Sequence, residues 1–233
     1  MEISRKKFFI GAASALLIPQ AESADARSRV ISRLPSSPTK RFAWTIDDGA
    51  SASAVKAYLD IAEHTNNHLT FFVTSSYSSW RTNSKQIVRL LANGKIQLGN
   101  HTVSHQDLTT LSSAQIRKQI YGCHLFMLQE FGYDARPYFR TPYGNSNSRV
   151  HSVAADMGYT VPTLWYGTFG DSSNTPEGRV VQLASQWIAD ERIVIDHSNR
   201  LKSQNALNQI QGIIKSRGLR SVTLTEAFGR SFK

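Results

Sequence analysis

Two stretches of the sequence concentrate side chains that bind cations. Thr45-Ile46-Asp47-Asp48-Gly49 closes one apolar run with adjacent carboxylates, and Gly99-Asn100-His101-Thr102-Val103-Ser104-His105 closes another with two imidazoles four residues apart. Adjacent carboxylates in a partly buried site drive one pKa up unless something positive sits beside them, and a divalent cation does this economically. Two histidines at this spacing lie on one side of a helical turn and can share a metal. Each stretch alone fits a plainer reading: Asp-Gly is an ordinary turn, and exposed or core histidines produce the same spacing. Taken together, His101, His105 and one carboxylate form a three-ligand set that leaves a coordination position open for water or substrate, as in catalytic rather than structural zinc sites. An ion there lowers the pKa of bound water toward ~7, and the second Asp can take up its proton.

Two more stretches could complete such chemistry. Tyr138-Phe139-Arg140-Thr141-Pro142-Tyr143-Gly144 is a loop bounded by Pro and Gly with a single Arg able to pair with a carboxylate, and a loop amide could face a developing oxyanion. It is equally a structural turn with an exposed Arg. Ile193-Val194-Ile195-Asp196-His197 presents a histidine at the end of an apolar run, the side chain suited to protonating a leaving group near neutral pH. A lone histidine at such a place is more often structural.

The elements that must hold these residues alternate along the chain. Short apolar or β-branched runs at 42–46, 69–73, 96–98, 160–164, 193–195 and 221–224 predict buried strands. Between them, 53–64, 84–93, 112–131, 147–157, 177–190 and 204–216 carry apolar residues at helical spacing. Gly94, Gly158 and Gly218 stand where helices would stop, and Ser112 and Asn147 where helices would start. Strand alternating with helix implies an α/β fold with a parallel sheet, either a closed barrel or an open doubly wound sheet. In both, functional residues collect at the C-terminal ends of strands, which is where all four stretches fall.

Residues 1–26 read as a signal peptide: Arg5, Lys6 and Lys7 precede an apolar run from Phe8 to Ile18, and Ala24-Asp25-Ala26 offers a small-residue cleavage site. That run falls short of the roughly 20 residues that span a bilayer, so no stable membrane insertion is expected after cleavage. The expected location is periplasmic or extracellular. Ser4-Arg5-Lys6-Lys7-Phe8-Phe9 resembles a twin-arginine signal with Lys6 in place of the second arginine, which leaves the Sec and Tat routes both open. Residues 27–40, rich in Ser, Arg and Pro, read as a linker, and 41–233 as one catalytic domain. The chain has 233 residues and a net charge of +10, and residues 1–26 hold three basic and three acidic side chains, so the remainder keeps that charge. The basic residues are scattered without interleaved aromatics, so no nucleic-acid partner is expected. A single cysteine, Cys123, excludes an intramolecular disulfide and reads as a small buried residue. A monomer is expected.

In combination and in this order, the four stretches resemble the polysaccharide deacetylase family, the NodB-homology or carbohydrate esterase family 4 domain, over roughly residues 40 to 230. Its patterns correspond to Thr45 through Gly49, His101 through His105, Arg140-Thr141-Pro142-Tyr143-Gly144 and Ile195-Asp196-His197, with His68-Leu69-Thr70-Phe71-Phe72-Val73 as further context. The resemblance implies a distorted, incomplete (β/α) barrel and one divalent metal ion, zinc with cobalt or nickel as alternatives. It implies Asp48, His101 and His105 as metal ligands, Asp47 as general base and Arg140 as the residue that orients it. The backbone N–H of Tyr143 falls on the oxyanion donor and His197 on the general acid. The implied substrate is an acetylated glycan, chitin-like or peptidoglycan, hydrolysed at N-acetyl or O-acetyl groups; a cyclic-amide amidase and an inactive carbohydrate-binding relative are the alternatives. The sequence departs from the family at its fourth motif. Leu164-Trp165 is present and Trp165 could line the sugar site, but Thr168 and Ser172 stand near the expected Asp and Trp. That leaves Asp171 as the only nearby carboxylate to support Arg140. Asp196 stands where an apolar residue is common; it could alter the acid's pKa, or strand alternation could turn it away from the site. His64, His68, His124 and His151 match no motif and are expected to be structural.

Overall fold

The structure, a computed structural model, describes residues 29–229; the expected signal peptide lies outside them. Eight strands run in chain order: β1 (Arg41–Asp48), β2 (Leu69–Val73), β3 (Ile96–Asn100), β4 (Tyr138–Phe139), β5 (Val161–Pro162), β6 (Gly167–Thr168), β7 (Ile193–His197) and β8 (Arg220–Ser221). The helices are α1 (Ala52–His64), α2 (Ser79–Thr82), α3 (Ser84–Ala92), α4 (Ser113–Phe131), α5 (Ser148–Ala155), α6 (Glu177–Trp187), α7 (Gln204–Ser216) and α8 (Leu224–Phe228). All strand pairs are parallel, in the order β5-β4-β3-β2-β1-β7-β6, with β8 against the start of β1. β5 and β6 form the two ends of this path, so the sheet curls into an incomplete barrel with helices outside it.

Strand alternation sorts the side chains. In β1, Phe42, Trp44 and Ile46 pack into the large core under the helices, while Ala43, Thr45 and Asp47 alternate with them onto the other face. β7 repeats the pattern, with Val194 in the helix-side core and Ile193 in the second cluster with Ala43, Phe72, Tyr138 and Val161. Fully burying side chains such as Ile46 or Val194 contributes about 1.5–3 kcal/mol each, and this holds the register that brings Asp47 beside His197. Ser112 caps α4 through a capping box with Gln115, and Asn147 caps α5. Gly94, Gly158 and Gly218 all adopt positive φ just past their helices.

The structure differs from the sequence reading in several places. β4 and β6 were not expected, because two-residue strands fall below the alternation a sequence can display. The last expected strand, 221–224, ends at Ser221, because the Thr223 hydroxyl and the Glu226 side chain close a capping box that starts α8. The expected linker does not hang free from the domain: Ile31 and Leu34 are buried, and the segment bonds to both sides of the barrel gap. Ile31 N–H donates to the Pro162 carbonyl at 3.0 Å, and Leu34 N–H to that of Glu191 at 2.8 Å. The two apolar residues in a Ser/Arg/Pro-rich stretch are what dock it. Among the described residues, no helix is long and apolar enough to cross a membrane.

Candidate functional site

A cavity of about 560 Å³ opens at the C-terminal ends of the strands, and all eight residues singled out from the sequence lie in or against it. Asp47 and Asp48 end β1, His101 and His105 follow β3, Arg140 follows β4, and His197 ends β7. Tyr143 and Trp165 form its aromatic wall. The turns that deliver them are unusual. Asp48, Thr102, His105 and Tyr143 all have φ between 56° and 74°, a region that side-chain-bearing residues rarely enter. Such conformations cost about 1–3 kcal/mol each and persist where the surroundings enforce them. At Asp48 the enforcement is visible: Trp80 Nε1 donates to the Asp48 carbonyl at 3.1 Å, and the following Gly49, at φ +101°, leaves no room for a Cβ, which would come within 2.4 Å of the Trp80 ring.

Asp48, His101 and His105 present one ligand atom each within a mutual 4.8 Å. Asp48 Oδ1 lies 3.4 Å from His101 Nε2 and 3.3 Å from His105 Nε2. A tetrahedral ion with bonds of roughly 2.0–2.1 Å spaces its ligands about 3.3–3.4 Å apart. Asp48 Oδ1 is buried and has no hydrogen-bond partner, whereas Oδ2 accepts from Asn199 Nδ2 at 2.6 Å. His101 Nδ1 donates to the Arg140 carbonyl at 2.8 Å, which leaves the Nε2 lone pair turned to Asp48. An orphaned carboxylate oxygen facing two imidazole nitrogens, that of His101 oriented from behind through its Nδ1, fits a divalent cation. Burial opposes ionisation of Asp48, but the His101 contact and the charges of His101 and His105 outweigh it and hold the carboxyl far below its usual range. Burial and the neighbouring His101 keep His105 below its ordinary value, so it offers a lone pair.

Asp47 is held separately. Arg140, fully buried, donates Nη1 to Asp47 Oδ1 at 2.6 Å and to Thr45 Oγ1 at 2.9 Å. Its remaining donors go to backbone carbonyls, Nε to Thr163 at 2.9 Å and Nη2 to Leu164 at 3.2 Å, and its guanidinium lies over the Phe72 ring. The support for Arg140 that the sequence left open, with Asp171 as the only nearby carboxylate, is supplied by Thr45 and two carbonyls. Asp171 goes instead to His197, with Oδ1 2.8 Å from Nδ1. Burial works against a charged His197, but the Asp171 carboxylate overcomes it and lifts the imidazole to about 9. Its Nδ1 is occupied, so Nε2 is the nitrogen left for the cavity.

Tyr143 is 65% exposed, with its ring 4.6 Å from that of His105, and Trp165 packs near Gly144 and the Arg140 guanidinium. Tyr77, from the loop after β2, joins them. Asp196 is turned to the helix side as strand alternation requires, and Cys123 is buried with its thiol pushed up to about 12. His124 bonds the Tyr159 hydroxyl and His64 the Asp60 carbonyl, both outside the cavity lining. Sequence reasoning missed Thr45, Asn199 and Lys202. The first shares a face of β1 with Asp47, and the other two lie two and five residues after His197, so their proximity to motifs was the only signal.

The sequence profile of the family described as Polysaccharide deacetylase matches residues 35–162. A peptidoglycan-N-acetylglucosamine deacetylase of Listeria monocytogenes serotype 1/2a (strain 10403S), PgdA, is 29% identical over 194 residues, covering 83% of this chain and 40% of that protein. A chitin deacetylase of Colletotrichum lindemuthianum is 28% identical over 200 residues, covering 80% of this chain and 79% of that one. The solved structure of the chitin deacetylase from that fungal pathogen aligns with a TM-score of 0.75 at 25% identity, over 87% of this chain and 92% of its own. A CE4 family pseudoenzyme from Bacillus anthracis shares the fold at 21% identity, with a TM-score of 0.72 over 85% of this chain and 68% of its own. The chain spans about two fifths of the length of the peptidoglycan deacetylases it matches in Listeria and Bacillus subtilis. Sequence profile and barrel agree: the chain belongs to the polysaccharide deacetylase family.

Proposed function

We propose that this chain is a metal-dependent hydrolase that removes acetyl groups from an exported glycan, with N-acetyl groups on peptidoglycan or chitin-like chains as the leading substrate and O-acetyl groups next. The observation that carries this reading is the separation of roles in one cavity: a three-donor cluster with an orphaned Asp48 oxygen, a second carboxylate locked to Arg140, and a charged His197 at the end of the neighbouring strand. Asp48, His101 and His105 would hold the cation, which when bound supplies Lewis acidity toward a water and the acyl oxygen.

The chain's own residues do the rest. Arg140 takes one oxygen of Asp47, leaving Oδ2 toward the cluster, 3.6 Å from His101 Nε2. From there Asp47 accepts the proton of the attacking water as its oxygen bonds to the acyl carbon. The Tyr143 N–H donates to the oxygen that gains negative charge, a contribution often worth ~3 kcal/mol per donor. As the bond to the sugar nitrogen or oxygen breaks, His197 Nε2 supplies its proton, giving acetate and a free amine or alcohol. Asp171 stabilises the imidazolium until that transfer. Tyr143 and Trp165 offer ring faces to a pyranose. Export through the expected N-terminal signal belongs to the same proposal, since these polymers lie outside the cytoplasm.

The test is acetate release from a panel of N- and O-acetylated glycans by zinc-loaded and chelated protein. Release that disappears on chelation and returns with zinc is expected. Intact zinc binding without release from any member would overturn the hydrolytic reading and favour a carbohydrate-binding one.

A further inference from the structure

Behind His197 lies a buried ionic cluster of which the proposed reaction uses only Asp171. Asp196 is fully buried on the helix side of β7. Its Oδ2 accepts from the Tyr58 hydroxyl at 2.5 Å and Trp44 Nε1 at 3.1 Å, its Oδ1 accepts from the His197 N–H at 3.0 Å, and Lys202 Nζ lies 2.9 Å from Oδ1 as an ion pair. Lys202 is 8% exposed; its Nζ donates to Asp171 Oδ2 at 2.8 Å, to the Tyr58 oxygen at 2.8 Å and to the His197 carbonyl at 3.4 Å, and forms an ion pair with Asp196. An ammonium has three donors, so this one is saturated. Asp171 then reaches around to His197 Nδ1 on the cavity side. The chain of contacts joins α1, both faces of β7 and the loops before α6 and α7.

The charges of this cluster do not cancel on their own. Two carboxylates and one ammonium leave a single negative charge in a buried place, where uncompensated charge is costly. A protonated His197 makes the sum zero. Burial and the Asp171 carboxylate raise Asp196 above the ordinary carboxylate range, so its ionisation depends on Lys202 and on the Tyr58 and Trp44 donors. The other ionisable groups that face His197 are Asp47 and Asp48 on β1 and His105 beyond β3.

We propose that Asp196 is a positioning residue for the proton donor, acting through Lys202 and Asp171: it supplies the second negative charge of the cluster, so that the protonated imidazole completes the balance. This rests on the reading of His197 as the acid. It gives a use to a carboxylate that costs energy to bury and that points away from the cavity.

The experiment follows the His197 ring by long-range proton–nitrogen NMR on the zinc-loaded chain, without substrate. Asp196→Asn removes a negative charge and is expected to lower the His197 titration by about one pH unit. The double variant Asp196→Asn/Lys202→Met restores the original net charge and is expected to bring the titration back toward its starting point. A merely structural cluster does the reverse, since two lesions loosen Asp171 more than one. Tyr58→Phe removes a donor that keeps Asp196 ionised and gives a smaller fall, and it serves alone should the Asn variant fail to fold. No fall in the single variants, or a further fall in the double variant, overturns the proposal. Failure of the wild-type chain to release acetate would count against the proposed function and leave this titration result standing.

Discussion

Asp48, His101 and His105 reach the cavity from backbone that turns sharply after β1 and β3, whereas His197 is still part of β7 and owes its state to groups packed behind it. The first region is assembled from two short stretches in which Asp48, Thr102 and His105 take positive φ, with one carboxylate oxygen lacking a hydrogen-bond partner. The second is assembled from contacts between residues up to 152 apart in sequence, with every Lys202 donor bonded. The first is built to accept something from outside, and the second is already complete. Chemistry at the donor cluster should therefore fail with the loss of any one side chain, while the acid side should respond by degrees as charges are rearranged.

The strongest test of that contrast is Asp48→Ala. It should abolish zinc binding in calorimetry together with acetate release, without loss of the folded circular dichroism signal; retained zinc would dissolve the distinction. Asp47→Asn should keep zinc but reduce turnover about a thousandfold, the scale of a lost general base. Loss of zinc in that variant would mean that the two aspartates exchange roles. Asp171→Asn should be milder, with turnover down about a hundredfold and the alkaline limb of the pH profile moved to lower pH. The sign follows from pairing that lifts His197 from 6.5 to about 9. The same pair adds stability that is fully present below about pH 6.5 and is lost as pH rises through about 9. An unmoved limb would assign it to another group. Asn199→Ala should be the smallest, weakening zinc about tenfold by freeing Asp48 Oδ2, as losses behind a ligand do; calorimetry on the variant reads it directly.

The same contrast explains what the sequence made legible. β2 and α7 have the bounds expected from their apolar spacing, since five buried residues and a long periodic helix carry their own signal. The donor cluster was equally readable, because its residues sit in two short stretches at strand ends. Arg140 was identified, but its partners were not, because Thr163 and Leu164 contribute only carbonyls, which no residue type announces. The partner of Asp171 was left open for a related reason. Asp171 lies in a loop between short elements, and only the folded path of that loop decides whether it meets Arg140 or His197. Lys202 and Tyr58 were invisible as partners of Asp196, since a lysine before a helix and a tyrosine within one are ordinary surface and core residues.

The segment from Arg29 to Leu34 has a consequence for how the chain behaves among its own copies. An incomplete barrel leaves a strand edge at β5 with backbone donors and acceptors that another chain could pair with. Ile31 occupies that edge, giving its N–H to Pro162 and its carbonyl to Leu164, while Leu34 ties the segment across to Glu191. The gap that keeps the barrel open is thus covered by backbone from the same molecule, and edge-to-edge stacking into fibres is denied its starting point.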